Sequence, residues 1–285
     1  MKKSYKAELV ACIGACMDGN PTAVMEEAGF RALDLNWRCL TVQVPQGNLE
    51  AAFAGMKAMG FMGMGVTVPH KQTIIPLLDE LTPAARIIGA VNAVSNRDGC
   101  WVGDNTDGRG LIAALQEMHI DLAGKQVAIL GGDGHARAFA VECALAGAAK
   151  IVIVAQDKNE GEALAHHIQE QTNVQAQFVL WTDGVAVPEG TDVLVNSTDI
   201  GMYPNSQAYP NIDYASITDK MVVADVVFNP QDPLFLQKAR MCGAKTVTGI
   251  GMMVHQGALA FTFWTGYDAP VEVMGEVLRT ELGEM

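Results

Sequence analysis

Apolar residues fall along the chain in two rhythms, short unbroken runs and longer stretches with helical spacing, and the two alternate. Glu8–Gly14 is an apolar run closed by a glycine, which predicts a strand. A helix start follows at Pro21–Ala28, with proline near the first turn and Asn20 as a candidate N-cap. Asn48–Met59 spaces Leu49, Phe53, Met56 and Met59 along one helical face, and Phe61–Val68 reads as a strand stopped by Pro69. Alternation of this kind predicts a mostly parallel α/β sheet.

A second unit begins near residue 110. Gln126–Leu130 is a buried-strand pattern, Gly131–Gly134 a glycine turn, Ala136–Ala146 a helix of small residues, and Lys150–Val154 the next strand. That order builds a nucleotide-binding βαβ unit. Further strands are predicted at Val193–Asn196 and Met221–Val227. After Gly249 the pattern is helical again, over Met252–Thr265 and Pro270–Leu282. There is no internal repeat and no low-complexity linker.

Composition narrows the reading. With 285 residues the chain has room for one large or two ordinary domains, and about half of its residues are hydrophobic. A net charge of −13 argues against nucleic acid as a partner, because phosphate backbones call for clustered Lys and Arg. A small anionic ligand needs only a local positive site and stays open. The start has a short basic end that soon meets Glu8, which does not make a signal peptide. No run approaches the ~20 apolar residues of a membrane helix, so a soluble, cytoplasmic chain is expected. The six cysteines are scattered. Cys12 and Cys16 have a metal-like spacing but no second Cys/His pair, so no metal is expected and buried free thiols are the better reading.

Three stretches can carry chemistry. In Gly65-Val66-Thr67-Val68-Pro69-His70-Lys71 a lysine follows directly on a strand end, where α/β proteins bind ligands; a solvated surface lysine is the plainer alternative. In Gly103-Asp104-Asn105-Thr106-Asp107-Gly108-Arg109-Gly110, Asp107 is either a helix cap or one member of a charge pair. Gly249-Ile250-Gly251-Met252-Met253-Val254-His255-Gln256-Gly257 opens an apolar helix, with Gln256 either facing a cleft or incidental in a core.

These stretches, in this order, resemble the shikimate/quinate dehydrogenase family. So do Gly89-Ala90-Val91-Asn92-Ala93-Val94, Asn196-Ser197-Thr198-Asp199-Ile200-Gly201-Met202 and Asp225-Val226-Val227-Phe228-Asn229-Pro230. The resemblance spans nearly the whole chain. It implies an N-terminal α/β substrate domain completed by the C-terminal helices (1–110 and 250–285) and a Rossmann-like dinucleotide-binding domain (111–249), with the active site in the cleft. It also implies hydride transfer between a nicotinamide and a ring hydroxyl or ketone. Lys71 would shuttle the proton and Asp107 would hold it in place. Asp18, Asn20, Thr67, Asn92, Phe228 and Gln256 match substrate positions. Gly131, Gly132, Asp133, Gly134, His135, Ala136, Gln156, Asp157, Thr198 and Gly249 match cofactor positions. The partner is then a small hydroxylated ring, with neither nucleic acid nor membrane, and the protein a monomer or homodimer.

Four departures from the family stand out. The usual Ser-x-Ser-Pro, which grips a substrate carboxylate, is replaced by Asp18-Gly19-Asn20-Pro21, and the tyrosine before Asn-Pro is Phe228. An acid repels a carboxylate and phenylalanine offers no donor, so a substrate other than shikimate is expected unless a cation such as Arg38 stands in. Asp133 replaces a glycine of the fingerprint and brings negative charge to an anion site. At Gln156 the arginine of NADP-using relatives is missing. Asp157 beside it either accepts ribose hydroxyls, favouring NAD over NADP, or simply caps the helix of Asn159–His167. The other class of function left open is a non-catalytic ligand-binding relative with weakened dinucleotide affinity, favoured by Asp133.

Overall fold

The computed structural model describes residues 5–283, so the basic start at Lys2 and Lys3 lies outside the described residues. The chain divides into two compact units, one made of the residues up to Thr106 together with those from Gln256 onward, the other of Asp107–His255.

In the first unit the chain runs β1 (Glu8–Gly14), α1 (Thr22–Ala32), β2 (Trp37–Gln43), α2 (Leu49–Ala58), β3 (Gly63–Val66), α3 (His70–Thr73), β4 (Glu80–Leu81), α4 (Pro83–Ile88), β5 (Ala93–Arg97) and β6 (Cys100–Asp104). The sheet order is β2-β1-β3-β5-β6-β4. Strands β2, β1 and β3 are parallel, but β5 runs antiparallel to both β3 and β6. The sheet is therefore mixed, where a mostly parallel one was expected. The cause is local: Asp98 and Gly99 both have positive φ (52° and 95°) and close β5 onto β6 as a two-residue hairpin. Ala11, Ile13, Phe53, Met64, Val66, Val94 and Trp101 form the core between this sheet and its helices.

The second unit runs α5 (Asp107–Glu117), β7 (Gln126–Leu130), α6 (Gly134–Leu145), β8 (Lys150–Ala155), α7 (Lys158–Thr172), β9 (Gln175–Leu180), β10 (Val185–Ala186), β11 (Val193–Asn196), β12 (Ile212–Asp213), β13 (Val222–Asp225), α8 (Leu234–Met241) and β14 (Lys245–Val247). Helices α9 (Gly249–Thr265) and α10 (Val271–Gly283) follow, and from Gln256 they belong to the first unit. The large sheet has the order β14-β13-β11-β7-β8-β9 and every pairing in it is parallel. This is a doubly wound sheet whose order reverses between β7 and β11, the place where such sheets bind ligands. Its inner strands β7, β8, β11 and β13 are almost wholly apolar and buried, as expected where both faces are covered, while the edge strand β9 alternates polar and apolar residues.

Among the described residues no helix is long and apolar enough to cross a membrane. The expectation of buried thiols fails in part. Cys12, Cys39 and Cys143 are buried, but Cys16 is exposed in the turn after β1, and Cys100 and Cys242 are half-buried.

Helix α5 lies against α6 at Gly108. A Cβ there would meet the Ala138 carbonyl oxygen and Cγ of Glu142, each at 2.5 Å. Alanine is the better helix former by up to ~1 kcal/mol, but overpacking of this kind costs ~1–3 kcal/mol. Gly108→Ala should therefore lower stability, by about 1–2 kcal/mol in urea denaturation once the two effects are netted. An unchanged or raised midpoint would show that the two helices have room to part.

Candidate active site

The first unit contributes a cluster of polar side chains buried in apolar surroundings. Asn92, at the start of β5, has both ends of its amide occupied. Its Oδ1 accepts from the Thr106 backbone N–H (2.7 Å), and its Nδ2 donates to Thr106 Oγ1 (2.9 Å) and to Gln256 Oε1 (3.3 Å). Beside it the Asp104 carboxylate accepts from Thr82 Oγ1 (2.6 Å) and the Asn105 N–H (2.8 Å), and Asn105 Nδ2 donates to the Ala90 carbonyl (3.1 Å). All of these residues except Thr82 are buried. A buried amide in a low dielectric is costly unless paired, so the network fixes side-chain orientation as well as position. Asp104, Asn105 and Thr106 carry no signal of their own in the sequence, although they lie just before Asp107 in the stretch Gly103–Gly110.

Lys71 stands on the short helix α3, one residue after the buried His70. The His70 imidazole bonds the Val44 carbonyl through Nε2 (2.7 Å), which makes that nitrogen the protonated one, because a carbonyl can only accept. The Lys71 carbonyl accepts from Val91 N–H (2.8 Å), and the Val66 N–H donates to the Asn92 carbonyl (2.7 Å). The loop that carries Lys71 is thus tied by backbone bonds to the segment that carries Asn92. Thr67 donates its N–H to Ile13 (2.9 Å), and its methyl packs over Gly14, where a Cβ would lie 2.4 Å away.

At the end of β1 the picture differs from a carboxylate grip. Asp18 is exposed in a turn. Asn20 turns its Oδ1 to the Thr22 N–H (3.0 Å) at the start of α1, so its side chain serves the helix, as a cap one position earlier than an N-cap proper. Arg38 donates to the Trp37 carbonyl (2.6 Å) and is exposed.

In the second unit Asp107 is buried as the first residue of α5, where a carboxylate is favoured by the helix dipole. The nucleotide-type turn follows β7. Gly131 has φ of +123°, and a Cβ there would meet Ser197 Oγ at 2.4 Å and the Thr198 methyl at 3.3 Å. Ser197 Oγ donates to the Leu130 carbonyl (2.7 Å), so the two strand ends at the switch point are joined through a hydroxyl. Gly132 packs against Ala155 and α7. Asp133 is the N-cap of α6: its Oδ1 accepts from the N–H groups of His135 (3.0 Å) and Ala136 (3.1 Å). Partial burial raises its pKa, but the His135 side chain and these two amides together outweigh that and hold it below the usual carboxylate range. Asp157 caps α7 in the same way, accepting from the Glu160 N–H (2.9 Å), and Gln156 beside it is exposed.

A relay of hydrogen bonds links the next two strand ends. Asn196 Oδ1 accepts from Thr198 N–H (3.1 Å) and Oγ1 (2.7 Å), while its Nδ2 donates to Asp225 Oδ1 (2.9 Å), which also accepts from Val227 N–H (3.0 Å). Gly249 sits on the other side of that loop, with a virtual Cβ 2.4 Å from the Val227 carbonyl oxygen. Thr198 and Gly249 are therefore held by one connected framework. Phe228 is half-buried in the same loop. Asn196, Ser197 and Asp225 lay within recognised stretches without being picked out.

Several comparisons bear on this arrangement. A family model described as the shikimate dehydrogenase substrate binding domain matches residues 14–94, and one for the shikimate 5'-dehydrogenase C-terminal domain matches residues 249–279. A shikimate dehydrogenase (NADP(+)) of Desulforamulus reducens is 38% identical over 98% of this chain and 97% of its own length. The ligand-free 5-ketofructose reductase of Gluconobacter sp. strain CHM43 matches with a TM-score of 0.93 and 39% identity, covering 98% of this chain and 100% of that one. Shikimate 5-dehydrogenase of Listeria monocytogenes, solved with shikimate and NAD, matches with a TM-score of 0.90 and 30% identity over 98% of both chains.

Asp225 generates a pH prediction. Burial pushes its pKa up to about 7, against the opposing hydrogen bonds from Val227, Asn196 and Val226. An unfolded aspartate titrates near ~3.9. The native state therefore holds a proton that the unfolded chain has lost, and the stability gained from it is full below the unfolded pKa and disappears as pH rises to about 7. Asp225→Asn keeps an oxygen acceptor and removes the charge. Its melting temperature should exceed that of the parent above pH 7 and lose less between pH 5 and 8. Parallel pH–Tm curves for the two proteins would refute the assignment.

Proposed function

The chain belongs to the shikimate dehydrogenase family, and from that premise we propose that it moves hydride between a nicotinamide dinucleotide and a hydroxyl or ketone carbon of a polyhydroxylated substrate that lacks the carboxylate of shikimate. The observation that carries the substrate reading is the end of β1. Asp18-Gly19-Asn20 stands there in place of two serines, with the Asn20 amide engaged at Thr22. Phe228 supplies no hydroxyl. The 39% identity to a protein described as a 5-ketofructose reductase supports the same direction, because a keto sugar carries no carboxylate. The ring-hydroxyl positions Thr67, Asn92 and Gln256 are retained, so hydroxyl recognition stays. A non-catalytic ligand-binding role draws no support from these relatives, which are named as enzymes.

When bound, the dinucleotide supplies or accepts the hydride; the proton is left to the chain's own residues. In this reading Lys71 gives a proton to the oxygen when a ketone is reduced and takes it back when an alcohol is oxidised. Asp107 matches the family position that partners this lysine, as the resemblance implies. Asn92 has both amide ends engaged at Thr106 and Gln256, so a substrate hydroxyl would exchange with one of these bonds, and the network holds the two amides in position for that exchange. Gly131, Gly132, Gly134, His135, Ala136, Thr198 and Gly249 would line the dinucleotide. The cofactor is NAD or NADP. NAD is the finer proposal, because Gln156 offers no cation and Asp157, while capping α7, keeps a negative charge where a 2′-phosphate would lie.

Steady-state assays test the reading. With 5-ketofructose, shikimate and quinate in parallel, kcat/KM for the keto sugar should exceed that for the two acids by roughly a hundredfold, the worth of one or two lost charge-assisted hydrogen bonds. Turnover of shikimate with a KM in the micromolar range would overturn it. NAD(H) should serve better than NADP(H); the reverse order would assign recognition of the 2′-position to another residue. Lys71→Ala should lower turnover by ~10²–10⁴-fold with NADH affinity within a small factor of the parent, and an active variant would remove Lys71 from the proton path.

A further inference from the structure

The turn after β7 holds an anion of its own. In a strand–turn–helix unit of this kind, the first N–H groups of the helix point out of its N-terminus and serve as donors to a bound pyrophosphate. Here two of the donors at the start of α6 are already engaged, because Asp133 Oδ1 accepts from both His135 and Ala136. The carboxylate therefore takes the place of a ligand's phosphate oxygen, with charge-assisted bonds and the helix dipole both favouring it. Its second oxygen lies 3.7 Å from His135 Nδ1, so the imidazole beside the turn also leans on the acid.

Nothing in the folding of the helix requires this particular residue. Asparagine or serine at an N-cap satisfies the same donors about as well, and glycine costs only a few tenths of a kcal/mol. The surrounding turn adds no side chain in front of those donors: Gly131 takes a positive φ that makes room for Ser197 and Thr198, and at Gly134 even a Cβ would meet nothing within 4 Å. The one charged group in the turn thus sits on the donors, while its neighbours leave them open.

We propose that Asp133 is an internal competitor for the dinucleotide: its carboxylate occupies the pyrophosphate donors of α6, and binding requires that carboxylate to leave the His135 and Ala136 N–H groups. This rests on the reading that a nicotinamide dinucleotide binds at this turn. The residue sets cofactor affinity low and makes it respond to whatever displaces the acid. It also makes the effect specific to the diphosphate, because an uncharged nucleoside neither competes for the amides nor feels the charge.

Two substitutions separate occupation from charge. Asp133→Asn retains a capping oxygen and loses the charge; Asp133→Gly loses both. Dissociation constants of the full-length parent and both variants would be measured for NADH and NADPH by fluorescence, and for ADP and adenosine by calorimetry. The expected result is that Asp133→Gly tightens NADH, NADPH and ADP by roughly tenfold or more, the equivalent of one charge-assisted hydrogen bond. Asp133→Asn should fall between parent and glycine variant, and adenosine should be unchanged throughout. Thermal melts of both variants report whether the fold survives the change of cap. Three results would overturn the inference: ADP affinities within twofold across the series, weaker binding in the glycine variant, or adenosine gaining as much as ADP. If both NADH and ADP fail to bind any of the proteins, the inference falls together with the cofactor reading. If the parent binds NADH tightly and the variants match it, the inference falls alone.

Discussion

The Asn92 amide is the contact on which the first unit's polar site depends. It lies buried where an unpaired amide would cost several kcal/mol, and its partners come from widely separated parts of the chain, Thr106 after β6 and Gln256 in α9. One side chain thus fixes the end of the hairpin strand, the residue that leads into Asp107, and the C-terminal helix that returns to complete this unit. The backbone bonds from Val91 to Lys71 and from Val66 to Asn92 extend the same constraint to the loop of the lysine. A site assembled in this way loses its geometry as a whole when one partner is removed, because each remaining group is then buried without a mate.

The second unit reaches its order by a different route. Parallel strands with both faces covered specify little by side-chain alternation, and the switch point is held by polar groups at the strand ends. Ser197 closes onto Leu130, and Asn196 bridges Thr198 to Asp225. Asp225 carries the tension in this arrangement. One of its oxygens is engaged, while Oδ2 is buried with no hydrogen-bond partner among the described residues, so the carboxyl is better accommodated with its proton than without. The framework behind Thr198 and Gly249 is therefore sensitive to charge in a way that an apolar core is not.

Much of this was legible in the sequence. The strands Glu8–Gly14, Gln126–Leu130 and Val193–Asn196 are found where apolar runs bounded by glycine or polar residues predicted them, and α9 and α10 lie where the C-terminal helical pattern put them. Strand β2 went unread because its half-exposed residues carry no clean run. The β5–β6 hairpin has its signal in Asp98-Gly99, a turn pair that brings with it the two antiparallel pairings of the first sheet, which apolar runs alone do not disclose. Side-chain engagement was the least legible. Asn20 was legible as a helix cap, but that it acts one position before the N-cap, and that Asp133 turns inward onto its own helix, depend on χ angles and loop geometry, which residue spacing does not encode.

The two helix N-termini that follow β7 and β8 carry the same device, an aspartate turned back onto the amides of its own helix. A carboxylate in that position stabilises the helix it caps, typically by ~1 kcal/mol, and by the same contact it withdraws donors from any phosphate. In a chain with net charge −13, with no arginine at Gln156, long-range attraction for an anionic dinucleotide is weak. On the proposed cofactor reading, affinity would rest on short-range terms, hydrogen bonds from the Thr198 region and burial of apolar ring surface. These terms act on the nucleoside and nicotinamide ends more than on the phosphates between them. On that same reading the two acids would loosen the hold on the pyrophosphate, the group that the first βα turn of this fold ordinarily receives at its helix N-terminus.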